Sequence, residues 1–182
     1  MKTAPQSQDP RHILLTGRPG VGKTTVVMRL AERVRYLKLA GFYTEEIRLH
    51  GRRMGFRAAV FSGRTTVLAH VDVKSRHRVG RYGVDVAAFE QLVLPELTSS
   101  ADLLLVDEIG KMECFSSAFV SAVRDLLSAA TPLVATVAAS GGGFIAEVKQ
   151  RADVELLQVT TDNRDELPGQ LPERLSLPGS PV

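Results

Sequence analysis

The sequence predicts an α/β fold, with a mostly parallel sheet flanked by helices and an inserted meander of antiparallel strands. Short apolar runs at residues 13–15 and 103–106 alternate with segments of helical periodicity, which is typical of a parallel sheet. Three extended segments between residues 41 and 71, separated by Gly-containing turns, interrupt this alternation and predict the meander. The 182 residues, 44% of them hydrophobic, suffice for one compact domain.

The first predicted strand covers residues 12–16, and a helix follows it from about Lys23. This helix has one apolar face, which is formed by residues at helical spacing: Val26, Leu30, Val34 and Leu37. We expect Gly41 to end the helix, because glycine is common immediately after helices. The strands of the meander are then predicted at residues 42–48, 55–61 and 65–71.

The remaining elements alternate between helix and strand. A helix is predicted over residues 86–97, with Pro95 expected to bend it or end it early. After the strand of residues 103–106, a further helix is marked by apolar residues at every fourth position: Phe115, Phe119, Val123 and Leu127. The last elements are a strand, a short helix and a strand, at residues 133–137, 144–151 and 155–159. We expect one domain over residues 12–167, with loose termini at residues 1–11 and 168–182.

The composition argues against several classes of protein. The 23 basic and 20 acidic residues leave a net charge of +3, and tryptophan is absent, so a nucleic-acid binder with a basic stripe and stacking aromatics is not expected. Cys114 is the single cysteine and cannot form an internal disulfide. The chain has neither a signal-peptide pattern nor an apolar run of about 18 residues. We therefore expect a cytoplasmic monomer without a membrane partner.

Residues 17–24 follow the pattern Gly-x-x-x-x-Gly-Lys-Thr, between the first predicted strand and its helix. In this context the pattern predicts a triphosphate site, since backbone N–H groups turn toward the β-phosphate and the helix start is positively polarised. Lys23 is expected to bridge the β- and γ-phosphates, and Thr24 to ligate Mg²⁺. The nucleotide-binding residues predicted here are Gly17, Arg18, Pro19, Gly20, Val21, Gly22, Lys23, Thr24 and Thr25.

A second chemical signal ends the apolar strand of residues 103–106, where Asp107 and Glu108 follow directly. Because ligands of open α/β sheets bind at the carboxyl ends of the strands, Asp107 is predicted to hold Mg²⁺ opposite Thr24. Glu108 is a candidate for orienting the water that attacks the γ-phosphate, which would make the reaction a hydrolysis. The alternatives for Glu108 are a surface-facing residue and a helix cap.

Two basic residues are candidates for stabilising charge on the transferred phosphoryl group. Lys111 lies in the short turn after the acidic pair, but it can equally pair with Glu113 or face solvent. Arg81 belongs to a basic run at residues 74–81, which is either a lid over the triphosphate or a solvated loop. Flanking glycines allow a sharp backbone path around Arg81, so we predict it as the catalytic arginine.

Asn163 and Arg164 follow the last predicted strand, so they are expected at the same sheet edge as the phosphate loop. We predict that they contact the nucleotide base, with ordinary helix capping as the alternative. The sequence has no Asn-Lys-x-Asp guanine signature, so GTP exclusivity is not indicated. The four histidines lack metal-ligand spacing, and no zinc site is expected.

Several segments together resemble the THEP-type nucleoside triphosphatases, over roughly residues 13–167. The phosphate loop is common to many enzymes, whereas two other segments are far more specific. These are Gly-Phe-Tyr-Thr-Glu-Glu at residues 41–46 and Asp-Glu-Ile-Gly-Lys-Met-Glu at residues 107–113. The other matching segments lie at residues 17–25, 51–56, 79–84 and 163–165.

This resemblance implies a RecA-like P-loop fold and slow, Mg²⁺-dependent hydrolysis of ATP, GTP, CTP and UTP to diphosphates, with loose base preference. Residues 138–143 are smaller and less charged than expected for the family. If a basic residue normally reaches the site from there, this chain is either slower or relies on another arginine. Two other functions stay open: a small-molecule or nucleoside kinase with the same loop, and a nucleotide-controlled binding module.

Overall fold

The computed structural model describes residues 12–179. In this part of the chain nine strands form one sheet, and helices cover both of its faces. The strands are β1 (His12–Thr16), β2 (Leu39–Leu49), β3 (Arg52–Val60), β4 (Thr65–His70), β5 (Arg78–Val79), β6 (Tyr82–Val84), β7 (Leu103–Ile109), β8 (Leu133–Val137) and β9 (Val154–Gln158). The helices are α1 (Lys23–Arg33), α2 (Val86–Leu97), α3 (Ser117–Leu126), α4 (Phe144–Lys149) and α5 (Leu167–Arg174).

The strands of the sheet run in the order β5-β6-β4-β3-β2-β7-β8-β1-β9. From β2 to β9 in this order the neighbours are parallel, so the carboxyl ends of these strands share one edge of the sheet. That edge is where an open α/β sheet binds its ligand. Strands β2 to β6 pair antiparallel on the other side, which confirms the predicted meander. With four parallel and four antiparallel strand pairs in the described part of the chain, the sheet is mixed rather than mostly parallel.

Alternate side chains of the parallel strands enter two cores, one on each face of the sheet. On one face, Val106 of β7 belongs to the core that α2, α3 and α4 cover. On the other face, Leu105 lies in a core with Leu30 of α1 and Leu171 of α5. Burial on both faces explains the continuous apolar sequence before Asp107, and it fixes this aspartate to a rigid strand.

The predicted end of the first helix at Gly41 is wrong. Helix α1 ends at Arg33, and Gly41 lies inside β2. The φ of Gly41 is +106°, and a Cβ placed on it would stand 2.0 Å from the backbone oxygen of Leu105 in the neighbouring strand β7. This glycine is therefore needed for the close approach of two strands and for its left-handed backbone, not for a helix end.

The structure also differs from the expectation of a loose segment beginning at residue 168. Helix α5 spans Leu167–Arg174, and Leu171 and Leu175 are buried in the core that α1 covers. This helix is hard to predict because it contains two prolines, Pro168 and Pro172. Proline is tolerated in the first turn of a helix, where Pro168 lies. The folded part of the chain therefore continues to about residue 175. The expected loose residues 1–11 and the last residues, 180–182, lie outside the described part of the chain.

Smaller differences concern the basic run and α2. Strands β5 and β6 form a hairpin where the sequence indicated only a charged loop. Pro95 lies inside α2, which nevertheless continues to Leu97. No helix within residues 12–179 is long and apolar enough to cross a membrane.

Candidate active site

The loop of residues 17–22 joins the end of β1 to the first residue of α1, Lys23. Gly20 and Gly22 have φ values of +77° and +109°, which glycine reaches without strain. The Lys23 ammonium donates a hydrogen bond to the Gly17 carbonyl at 3.1 Å, and it lies 3.6 Å from Oε2 of Glu108. Because Lys23 is only 8% exposed, its positive charge is held within the loop and favours an anion there.

Asp107 lies near the end of β7, is 1% exposed, and accepts a hydrogen bond on each carboxylate oxygen. The Thr24 hydroxyl donates to Oδ2 at 2.7 Å, and the Thr136 hydroxyl donates to Oδ1 at 2.6 Å. Thr24 belongs to α1 and Thr136 to β8, so the carboxylate links three elements at the sheet edge. Carboxylate and hydroxyl oxygens are hard ligands of the kind that suits Mg²⁺.

Burial raises the pKa of Asp107 and the pKa of Glu108 above their ordinary values. At Asp107 the hydrogen bonds from Thr136 and Thr24 oppose this rise in pKa, and at Glu108 the charge of Lys23 opposes it. The Glu108 side chain is 33% exposed, unlike that of Asp107. Glu108 thus combines a raised proton affinity with access to water, as a general base requires.

Glu113 brings a third carboxyl group close to this acidic pair. It lies in a short 3-10 turn, Glu113–Phe115, and is 4% exposed. Burial raises the pKa of Glu113 to about 8, and the charges of Glu108 and Asp107 add to the rise. A Cβ on Gly110 would lie 2.8 Å from Oε2 of Glu113 and 2.9 Å from Oε1 of Glu108, so this glycine makes room for both carboxyl groups. Glu113 is therefore mostly protonated at neutral pH.

We expect the raised pKa of Glu113 to make the protein less stable as the pH increases. Its pKa is about 8 in the folded chain, against an ordinary value of 4.5. The folded state therefore binds more protons than the unfolded state between these values, so the free energy of unfolding falls as pH rises across that window. Glu113→Gln should reduce this fall by an amount on the order of a few kcal/mol, measured by urea unfolding at several pH values in chelating buffer.

The matched control for this prediction is Glu32→Gln, at an exposed carboxylate of α1. It should leave the pH dependence of the unfolding free energy as it is in the wild type. Asp107 and Glu108 act in the same direction as Glu113, so Glu113→Gln removes only part of the fall. Equal slopes for the wild type and Glu113→Gln would contradict a protonated Glu113.

A cavity of about 580 Å³ opens between the loop, the end of β7 and the meander. The loop, α1 and β7 bring many of the predicted site residues to its wall: Pro19, Gly20, Gly22, Lys23, Thr24, Thr25, Glu108 and Lys111. Gly17 and Val21 are buried outside the wall, and Arg18 is exposed. Asp107 lies behind the wall and reaches it through Thr24. The structure therefore brings together most residues of the predicted loop and acidic pair.

Arg81, in contrast, is not among the residues of this cavity wall. Its guanidinium donates hydrogen bonds to the carbonyl of Arg53 and, at 3.3 Å, to the hydroxyl of Tyr82. From the basic run of residues 74–81, it is Val79 that lines the cavity. Among residues 12–179, the arginine on this wall is Arg53, and Arg81 donates a hydrogen bond to its backbone carbonyl.

Arg164 contacts the phosphate loop, and Asn163 contacts the turn that precedes Arg164. Their predicted contact with the nucleotide base stays a prediction. Oδ1 of Asn163 accepts from the backbone N–H of Thr160 and Nδ2 donates to the Gln158 carbonyl, both at 2.8 Å, so Asn163 stabilises its own turn. Arg164 donates to the Val21 carbonyl at 3.1 Å and thereby holds the phosphate loop. A smaller cavity of about 220 Å³ beside the loop is lined by Gly22, Thr25, Arg29, Arg164 and Asp165.

Sequence reasoning missed three features of the site. Thr136 has a weak signal in the sequence, because it is the one hydroxyl residue of an apolar strand. A buried hydroxyl needs a hydrogen-bond partner. The burial of Glu113 has no local signal in the sequence, because a glutamate is usually exposed even when apolar residues such as Met112 and Phe115 lie beside it. Arg53 reaches the cavity through the path of the meander, which spacing along the chain does not define.

Comparisons of the sequence with known proteins agree on one family. A family model described as NTPase matches residues 12–171. The cancer-related nucleoside-triphosphatase of Homo sapiens is 40% identical over 175 residues, which cover 86% of this chain and 92% of the human protein. The nucleoside-triphosphatase THEP1 of Thermotoga sp. (strain RQ2) is 38% identical over 158 residues, covering 85% of this chain and 90% of that protein.

Two solved structures share the architecture. The crystal structure of THEP1 from Aquifex aeolicus superimposes with a TM-score of 0.82 at 33% identity, covering 90% of this chain and 98% of that one. The solution structure of the human cancer-related nucleoside triphosphatase gives a TM-score of 0.76 at 39% identity, covering 88% and 95% of the respective chains. These matches confirm the predicted fold class.

Proposed function

The chain belongs to this family of nucleoside-triphosphatases, and on that premise we propose that it cleaves its substrate in the cavity beside Lys23. One observation carries the proposal: Lys23 and Glu108 meet at 3.6 Å over a glycine-rich loop, at the carboxyl edge of the sheet. Lys23, which can bind phosphate oxygens, and Glu108, which can accept a hydrogen bond from water, thus line the same cavity. Its volume of about 580 Å³ accommodates a triphosphate.

The loop binds the triphosphate in this proposal. Backbone N–H groups of the loop, to which Pro19 contributes none, and the start of α1 face the β-phosphate, where the helix dipole favours an anion. Lys23 exchanges the Gly17 carbonyl for oxygens of the β- and γ-phosphates. Lys111, which also lines the cavity, adds positive charge near the γ-phosphate.

Glu108 orients the attacking water. Its carboxylate accepts a hydrogen bond from the water, and the water oxygen forms a bond to the γ-phosphorus. The bond between that phosphorus and the β–γ bridging oxygen breaks, which yields a nucleoside diphosphate and inorganic phosphate. The raised pKa of Glu108 suits it to hold the proton that the water loses.

Thr24 and Asp107 are the residues that would hold Mg²⁺. Their side-chain oxygens are 2.7 Å apart, and oxygen is the ligand atom that Mg²⁺ prefers. When bound there, the ion would neutralise charge on the β- and γ-phosphates. Thr136 occupies the other oxygen of Asp107 and so keeps the carboxylate in a fixed orientation.

The nucleoside is proposed to lie at the smaller cavity beside the loop, between Arg164 and the ion pair of Arg29 with Asp165. The Arg164 guanidinium is a planar surface on which any base can stack. The cavity is small and its two charged partners are exposed, which supports a loose choice among ATP, GTP, CTP and UTP. Asn163 serves this subsite by holding the turn that carries Arg164.

We also propose that the protein acts as a cytoplasmic monomer on free nucleotides, through one domain. A net charge of +3 and an aromatic content of 5% give little basis for a nucleic-acid partner. The single cysteine is consistent with a reducing compartment. One continuous sheet carries both the loop and the meander.

Release of inorganic phosphate from ATP, GTP, CTP and UTP, each with Mg²⁺ and with EDTA, tests the proposal. We expect all four rates to agree within about tenfold, and EDTA to abolish release. Lys23→Ala, assayed in parallel, should lose both nucleotide binding and turnover. Release from one nucleotide alone would contradict the loose base preference, and undiminished release in EDTA would contradict the metal site.

A further inference from the structure

The meander supplies the wall of the cavity that faces the phosphate loop. Arg53 and Phe56 of β3 and Glu46 of β2 line the same cavity as Lys23 and Glu108. Among the described residues, the cations of this wall are Lys23, Arg53 and Lys111. Arg53 therefore supplies the guanidinium group at the cavity. A guanidinium can donate two parallel hydrogen bonds to the oxygens of a phosphoryl group.

The charges around Arg53 leave one positive charge in excess. The Glu46 carboxylate forms an ion pair with Arg53, with Oε1 at 2.8 Å from Nη1, and accepts a hydrogen bond from the Nε of Arg48 on Oε2 at 2.7 Å. The Glu46 carboxylate thus forms ion pairs with two guanidinium groups, those of Arg48 and Arg53. If Arg53 turns toward an anion in the cavity, Glu46 keeps Arg48 as its partner, so the exchange leaves no unpaired carboxylate.

Neighbouring strands hold the backbone of Arg53, while its partly exposed side chain is held at the guanidinium by Glu46 and Phe56. Arg81 donates a hydrogen bond to the Arg53 carbonyl. The register of β2 and β3 shifts between Ile47 and Arg48, and Arg53 pairs with Arg48 just beyond this irregularity. The Arg53 guanidinium lies 5.4 Å from the centroid of the Phe56 ring and is 44% exposed. A change in the rotamer of Arg53 would therefore exchange Glu46 for an anion in the cavity.

From this juxtaposition of Arg53 with Lys23 and Glu108 around one cavity, we propose that Arg53 is the arginine that stabilises the γ-phosphoryl group during hydrolysis. The inference rests on the proposed function of the cavity and names one more catalytic residue for it. As the water oxygen bonds to phosphorus and the bridging bond breaks, Arg53 donates hydrogen bonds to equatorial oxygens and transfers no proton. Glu46 holds it beside the cavity until the nucleotide enters.

Four arginine variants test this role. Arg53→Ala should lower kcat by about 10²–10³-fold, and Arg53→Lys should recover little of it because an ammonium lacks the fork. The affinity for Mg-ADP should change less than about threefold, whereas binding of ADP with aluminium fluoride, which mimics the transferred group, should be lost. Arg57→Ala is the matched control, since Arg57 pairs with Glu45 on the same two strands outside the cavity wall. Arg81→Ala should lower kcat less than Arg53→Ala does.

The outcomes separate this inference from the function it rests on. If Arg53→Ala turns over as fast as Arg57→Ala while Lys23→Ala and Glu108→Gln are inactive, Arg53 has no catalytic role and the site assignment stands. If Lys23→Ala and Glu108→Gln also retain activity, the proposed site itself is wrong. Equal losses of affinity for ADP and for its aluminium fluoride complex would also overturn the role, because the interaction would then not be specific to the reacting group.

Discussion

Replacing Glu108 with glutamine is expected to slow phosphate release by about 10²–10⁴-fold without abolishing the binding of Mg-nucleotide. The amide keeps the size of the side chain, but it cannot accept the proton of the attacking water. The contact between Lys23 and Glu108 is long, at 3.6 Å, and Lys23 keeps its hydrogen bond to the Gly17 carbonyl, so the substitution should leave the phosphate loop intact. Single-turnover phosphate release and equilibrium binding of a fluorescent nucleotide analogue measure the two properties separately.

The control for this prediction is Glu45→Gln, which neutralises a carboxylate of the meander that pairs with Arg57 and is absent from the cavity wall. It should turn over at the wild-type rate. An unchanged rate in Glu108→Gln would remove Glu108 from the chemistry. Loss of nucleotide binding in the same variant would instead mean that Glu108 acts by positioning Lys23.

Replacing Gly41 with alanine is expected to destabilise the fold by about 3–5 kcal/mol. The added Cβ would stand 2.0 Å from the Leu105 backbone oxygen, and a central strand cannot move away without losing its pairing. The left-handed φ of +106° adds its own strain. Urea unfolding, followed by far-ultraviolet circular dichroism, measures the loss. The variant should also bind nucleotide less well, since β7 carries Asp107.

Gly51→Ala separates the two contributions to this effect. Gly51 lies at a turn with a φ of +76°, but no atom lies within 4 Å of an added Cβ. Its cost should therefore be the backbone strain alone, about 1–2 kcal/mol. If Gly41→Ala were no less stable than Gly51→Ala, close packing against β7 would not be what requires glycine at position 41.

Features that depend on short, local sequence patterns could be predicted. The loop of residues 17–24 and the acidic end of β7 can each be recognised from a few consecutive residues. The sheet brings the two segments together at its carboxyl edge, as expected. The three main strands of the meander were similarly predictable, because turn residues separate them. The catalytic and binding roles of these residues stay predictions until the variants are measured.

Features that depend on contacts between distant segments could not be predicted in this way. Gly41 has the local appearance of a helix end, and its clash with Leu105 exists only once β2 lies beside β7. Arg81 is flanked by glycines, as a catalytic arginine could be, yet the turn between β5 and β6 directs it to the Arg53 carbonyl. Helix α5 was hidden by its prolines, and burial of Leu171 against α1 outweighs their low helix propensity.

The position of β1 in the sheet has a consequence for the synthesis of the protein. Both strands that pair with β1, β8 and β9, come from the last third of the described chain. The phosphate loop therefore leaves the ribosome before either partner strand, and β1 has no sheet to join until β8, which ends at Val137, has emerged. Such non-local pairing makes folding slow. A nascent chain that stops before β8 would carry the complete Gly-Lys-Thr sequence and still be unable to bind a nucleotide.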